Sequence, residues 1–217
     1  MNGTALAPPP SQPIDCDGGT EKKEQLAELL YQALETEQGG IKVYETALRC
    51  AVNEELREEW AKYLEETRTN ERVVLGVFKA LDLDPDIDTP GRLVVRHTGQ
   101  SLVMAMEMAL DADVPDAAQL VAAECVVSAE TKDHLNWELL GHAAKALKGD
   151  QGKALKDALE QVEEQEDEHL YHTTGWCREL WIESLGLPAV IPPPEEEKEV
   201  KTAIGAARAK QARKELL

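Results

Sequence analysis

The sequence predicts an all-helical protein, a four-helix bundle with a long helical crossover between its second and third long helices. Three observations predict it. Apolar residues recur at threes and fours along four long segments, no segment shows the alternation of a strand, and the middle pair of segments is separated by a turn-rich stretch too long for a simple turn. With 217 residues, 42% of them hydrophobic and 30% charged, the chain has enough material for one sizeable core.

Residues 1–20 hold Pro8, Pro9, Pro10 and Pro13 with Gly18 and Gly19 and few large apolar groups, so a flexible tail is expected there. The first helix follows from Glu21, with Leu26, Leu30, Ala33, Glu37, Ile41, Tyr44, Leu48 and Ala51 on one stripe. After a break near Asn53, the second carries Leu56, Trp60, Tyr63, Thr67, Asn70, Val74, Val77 and Leu81 in a heptad-like pattern. It stops at Leu83, Asp84 and Pro85.

The crossover contains Pro85, Pro90 and Gly91 and a medium helix around Leu102, Val103, Met106 and Leu110, ending before Pro115. A connection of this length is what a bundle needs when its second and third long helices run the same way. The third long helix reads Leu120, Ala123, Val127, Glu130, His134, Trp137, Gly141 and Ala144. The fourth reads Leu155, Leu159, Val162, Glu166, His169, Thr173, Trp176 and Leu180, and stops around Gly186 and Pro188. The bundle thus spans 21–187. Residues 188–217 form a Pro/Glu linker and a basic, Ala-rich tail, read as a solvated frayed helix in preference to a docking peptide. Trp60, Tyr63, Trp176 and Trp181 lie at helical spacing and are expected to fill the core.

Charge excludes some functions. Asp and Glu number 42 against 23 Lys and Arg, so a formal charge of -19 repels nucleic acid and anionic membranes. The four cysteines are scattered without a CxxC pair, which argues against a zinc ribbon or a disulfide framework and fits a reducing compartment. No N-terminal stretch joins a basic start to an apolar run, and no apolar run is long enough to span a bilayer, so a cytoplasmic location is expected.

The stripes are interrupted by Glu37 in the first helix, Thr67 and Asn70 in the second, Glu130 and His134 in the third, and Glu166 and His169 in the fourth, all near mid-helix. An unpaired buried carboxylate costs several kcal/mol, and no Lys or Arg shares these stripe positions, so a bound metal is the economical explanation. An internal echo supports it. Glu37 and Tyr44 recur as Glu130 and Trp137 at an offset of 93, and Thr67-x-x-Asn70 matches Glu166-x-x-His169 at an offset of 99.

A Glu on one helix followed by Glu-x-x-His on the next resembles the di-iron carboxylate signature of ferritin-like proteins, and Glu130 with Glu166-x-x-His169 carries one full copy. Glu37 with Tyr44 is similar to the first-helix Glu and nearby Tyr of ferritins and bacterioferritins. The segments AETKDHLNWELL and EDEHLYHTTGWCRELWIESLGLP look like those of bacterial ferritin-like domain proteins. The resemblance implies a metal site of Glu37, Glu130, Glu166 and His169; His134, one turn after Glu130, is a further candidate nitrogen that the family pattern does not require. The cofactor would be iron, as one ion or a di-iron pair, or manganese, and the partner O2 or peroxide. Thr67 and Asn70 stand where the pattern wants Glu and His, leaving Glu66 or Glu71 to swing in from the flanks, and one metal position better founded than two. The competing expectation is a metal-free helical scaffold or stress-associated interaction protein with a degenerate site. Assembly as a homodimer is compatible with either.

Overall fold

The computed structural model describes residues 18–215. The expected tail over 1–17, with Cys16, lies outside the described residues. Within them the chain is all-helical: α1 (Gly18–Cys50), α2 (Glu54–Ala80), α3 (Pro90–Asp111), α4 (Pro115–Ala146), α5 (Gly149–Ser184), α6 (Pro194–Glu197) and α7 (Ala203–Ala212), followed by a 3-10 turn, Arg213–Glu215. The first helix therefore starts at Gly18, inside the stretch expected to be flexible. None of the described helices is long and apolar enough to cross a membrane.

Local chemistry sets the breaks. Asn53 caps α2 by accepting the Leu56 amide at 3.0 Å, while Gln119 of α4 accepts the amides of Val52 and Asn53 at 2.7 Å each, satisfying donors that a helix start leaves open. Thr89 caps α3 ahead of Pro90 at its first position. The first turn of α5 needs glycine at Gly152, because a Cβ there would stand 2.5 Å from the Leu147 carbonyl oxygen.

The four long helices α1, α2, α4 and α5 pack in a ring, with α1 against α2 and α4, and α5 against α2 and α4. Residue pairings give the directions. Gln38 meets Glu71 and Glu45 meets Arg68; Thr36 meets Asn136 and Val52 meets Gln119; Glu59 meets His172 and Asn70 meets Glu166; Glu124 meets Trp181 and His134 meets Asp167. In each set one number rises as the other falls, so ring neighbours are antiparallel and α2 runs with α4. α3 makes the crossover and packs on α1 and α4. It is anchored by Glu35, which binds Arg92 at 2.8 Å and Arg96 at 2.8 and 2.9 Å.

Two apolar clusters stand at opposite ends of the ring. One gathers Tyr44, Leu56, Trp60, Tyr63, Met106 and Trp176; the other gathers Leu30, Leu34, Phe78, Trp137, Leu155 and Val162. Burying each such side chain stabilises the fold by roughly 1.5–3 kcal/mol. Trp181, expected in the core, is instead 40% exposed and donates its indole N–H to Glu124 at 3.1 Å, since it lies one position past the buried edge formed by Trp176, Glu179 and Leu180.

The C-terminal segment is docked, contrary to the solvated reading. Ala209 and Val200 are buried, and Arg213 binds the fully buried Glu179 at 2.8 and 2.9 Å. Arg178 holds Glu195 through two hydrogen bonds of 2.8 Å. Ion pairs run both ways between this segment and α5, which is why a composition typical of a solvated helix ends up packed.

Candidate metal centre

Between the two apolar clusters lies a polar layer. It contains Glu37 from α1, Asn70 from α2, Glu130 and Asp133 from α4, and Glu166 and His169 from α5, each at most 6% exposed. The placement follows from helical spacing: Glu130 and Asp133, like Glu166 and His169, are three apart and share a face. Two triplets have ligand-capable atoms within 4.8 Å of one another, Glu130 with Glu166 and His169, and Glu37 with Asp133 and Glu166. Glu166 belongs to both.

Each of the three glutamates is held by one oxygen. Tyr44 donates to Glu130 at 2.6 Å, Asn70 Nδ2 to Glu166 at 2.6 Å and Trp137 Nε1 to Glu37 at 2.9 Å. The other oxygens, Glu37 Oε2, Glu130 Oε2 and Glu166 Oε2, together with Asp133 Oδ1 and Asn70 Oδ1, are buried without a donor. Buried acceptors of this kind are costly, and so many at one depth call for protons shared between carboxyl groups, buried water or a cation.

The electrostatics agree. Burial first, and then the charge of Asp133, push Glu37 well above the usual carboxylate range. Burial and the neighbouring Asp133, Glu37 and Glu130 do the same to Glu166. Asp133 is raised by burial and Glu130 to about 7. His169 responds in the opposite sense, for burial alone would depress its imidazole while Glu130 and Glu66 raise it to about 9. Its Nε2 meets Glu66 at 2.8 Å and its Nδ1 faces Glu130 at 3.6 Å. Glu66 thus fixes the ring from outside and leaves Nδ1 aimed at the carboxylates.

Of the residues expected at the site, Glu37, Glu130, Glu166 and His169 come together. His134 does not: its side chain is about a quarter exposed and pairs with Asp167 at 3.3 Å on the outer seam of α4 and α5. One residue is 100° of helix rotation, and the inward place belongs to Asp133, which the sequence reading missed. Neither flanking acid takes a place in the layer: Glu66 meets His169 Nε2 from outside, and Glu71 accepts from Gln38 at 3.1 Å. Thr67 is buried but spends its hydroxyl on the Tyr63 carbonyl at 2.9 Å.

A second group, Glu59, Glu168 and His172, lies nearer the end of the bundle where α6 docks. Its acids are already answered. Glu59 meets His172 at 3.1 Å and accepts from Tyr63, while Glu168 is bound by Lys62 and lies 3.6 Å from Lys201.

Comparison with protein-family models, curated proteins and solved structures gave no match for this chain.

Proposed function

We propose that this chain is a ferritin-like helical bundle whose polar layer binds iron or manganese, as one ion or a pair, and that it is a non-haem oxidoreductase reacting with O2 or peroxide. The observation that carries the reading is the set of buried oxygens without donors, on Glu37, Glu130, Asp133, Glu166 and Asn70, gathered around an imidazole. Oxygen donors with one imidazole are the ligand set that suits iron and manganese. Glu130, Glu166 and His169 would hold one ion, and Glu37, Asp133 and Glu166 a second.

Bound there, such a metal supplies one-electron chemistry toward O2 or peroxide. The surrounding residues have separate tasks. Glu66 orients His169, Asn70 and Trp137 fix Glu166 and Glu37, and the two apolar clusters exclude water. Tyr44, hydrogen-bonded to Glu130, holds a proton next to the site that its burial and the adjacent carboxylate make hard to remove.

A second reading, a metal-free scaffold, draws on α2. There Thr67 is committed to the backbone and Asn70 offers an amide in place of a charged ligand, so the layer could persist as a proton-sharing cluster. Elemental analysis separates the two. Protein purified without chelator from cells supplemented with iron and manganese should hold near-stoichiometric metal, and a Glu166→Ala, His169→Ala double variant little. If neither protein holds metal while both remain helical, the oxidoreductase reading fails and the scaffold stands.

A further inference from the structure

A cavity of about 370 Å³ opens where the crossover helix α3 leans on α1 and α4, behind the face of α1 and α4 that carries the acids. Its volume falls within the range of small-molecule sites. Val43, Val94, Val95, Leu102 and Ala129 supply an apolar wall, and Val94, at 65% exposure, marks the mouth. Two glycines of the lining leave space: a Cβ on Gly99 would make only an ordinary contact, 3.7 Å from the Gly39 Cα, and a Cβ on Gly39 would meet nothing within 4 Å. The space beside Gly39 is therefore open room.

Two charged residues share the lining. Glu35 is neutralised, since Arg92 and Arg96 occupy both its oxygens. Lys132 is different. Its ammonium, half withdrawn from water, bonds the Asn136 amide oxygen and reaches that of Gln32 at 3.5 Å, so its hydrogen-bond partners among the described residues are neutral. In a chain of formal charge -19, a cation held by amides at the edge of an apolar cavity is unusual. It has a donor to spare, because an ammonium carries three.

We infer that this cavity is a binding site for an amphipathic carboxylate, a medium-chain fatty acid whose head bonds Lys132 and whose tail lies along Val43, Val95 and Leu102. At roughly the ~30 Å³ that a water-sized group occupies, the volume takes about ten to twelve heavy atoms, the size of decanoate. The charge of Lys132 selects the head and the apolar wall supplies the affinity. The site lies beside the polar layer and adjoins it through Lys132, next to Asp133, so it is tested on metal-free protein.

Calorimetric titration of the metal-stripped full chain with decanoate and, separately, with 1-decanol, both below micelle-forming concentrations, tests this. The parent should bind one equivalent of each saturably. Lys132→Met, which keeps most of the apolar stem and loses the charge, should weaken decanoate about ten- to a hundredfold and leave 1-decanol nearly unchanged. Gly39→Leu, which fills the open room, should abolish both. No saturable decanoate binding by the parent, or equal decanoate binding by the parent and a folded Lys132→Met, overturns the inference. Because the titrations use metal-stripped protein, their result stands apart from the outcome of the elemental analysis.

Discussion

The Tyr44 hydroxyl donates to Glu130 Oε1 at 2.6 Å, joining α1 to α4 across 86 positions of sequence and leaving the other oxygen of Glu130 facing His169. The hydrogen bond is buried at both ends, so its loss is not made good by water. Tyr44→Phe removes the donor without changing the ring. Urea unfolding of metal-free protein should show a loss of about 1.5–3 kcal/mol, the range for a hydrogen bond to a charged group, with the m-value unchanged. A loss below a few tenths would mean that the Glu130 oxygen finds another donor once the hydroxyl is gone.

The carboxyl groups of the polar layer give the metal-free protein an unusual pH dependence. Asp133 is raised to about 7, and Glu37 and Glu166 move the same way, so the folded state holds protons that the unfolded chain has released by about pH 4–5. Their contribution is full below the unfolded values and is lost as pH rises through the folded ones. His169, raised to about 9, acts in the same sense at higher pH: its contribution is present below about 6.5 and lost through 9. Despite burial, Glu35 is held low by Arg96 and Arg92, and Glu179 by the Val190 amide and then Arg178 and Arg213, so both lose their contribution only as pH falls below about 4.5, outside this window. The urea midpoint of chelator-treated protein should therefore decline from pH 5 to pH 9. Asp133→Asn should flatten the part between 5 and 7.

Glu35 ties α1 to the crossover, and its partner Arg92 is almost as buried as Glu35 itself. Glu35→Ala leaves that guanidinium uncompensated, which costs about 3–5 kcal/mol when one partner of a buried pair is removed. Hydrogen exchange should quicken first in α3, because its other contacts, with α1 and α4, are near the open cavity. Uniform acceleration across all helices would show instead that the pair supports the whole bundle.

At the far end of α5, Glu179 is fully buried and accepts from Arg178, Arg213 and the Val190 amide. It is therefore the clasp of the C-terminal segment. Glu179→Ala should release residues 188–215, and limited trypsin digestion should cut after Lys198, Lys201 or Arg208 at doses that leave the parent intact. The bundle fragment should keep its helical circular dichroism.

How well each part could be read from sequence tracks how sharply its stripe was drawn. On α2, Leu56, Trp60, Tyr63, Thr67, Asn70, Val74 and Val77 are all buried as read, because charged residues fill most of the intervening positions. On α4 the apolar residues spread over several faces, with Val127, Leu135 and Leu139 outside the core, so the stripe could be drawn one residue off. The docked tail was unreadable for a different reason. Its contacts are ion pairs between segments, and the partner of a surface-looking arginine is not written beside it.

That one-residue difference on α4 makes the last prediction a direct test of which side chains complete the site. Asp133 is buried, with Oδ1 lacking a donor and lying among Glu37 and Glu166, whereas His134 is turned to Asp167. If the layer binds metal, Asp133→Ala removes a ligand and should lower the metal retained after dialysis. His134→Ala removes only a partly exposed pair, worth about 0–1 kcal/mol, and should keep the parent's content. Elemental analysis of the two variants after identical dialysis checks this. Loss from His134→Ala with retention by Asp133→Ala would require α4 to turn by one residue when metal binds, and would restore the imidazole to the ligand set.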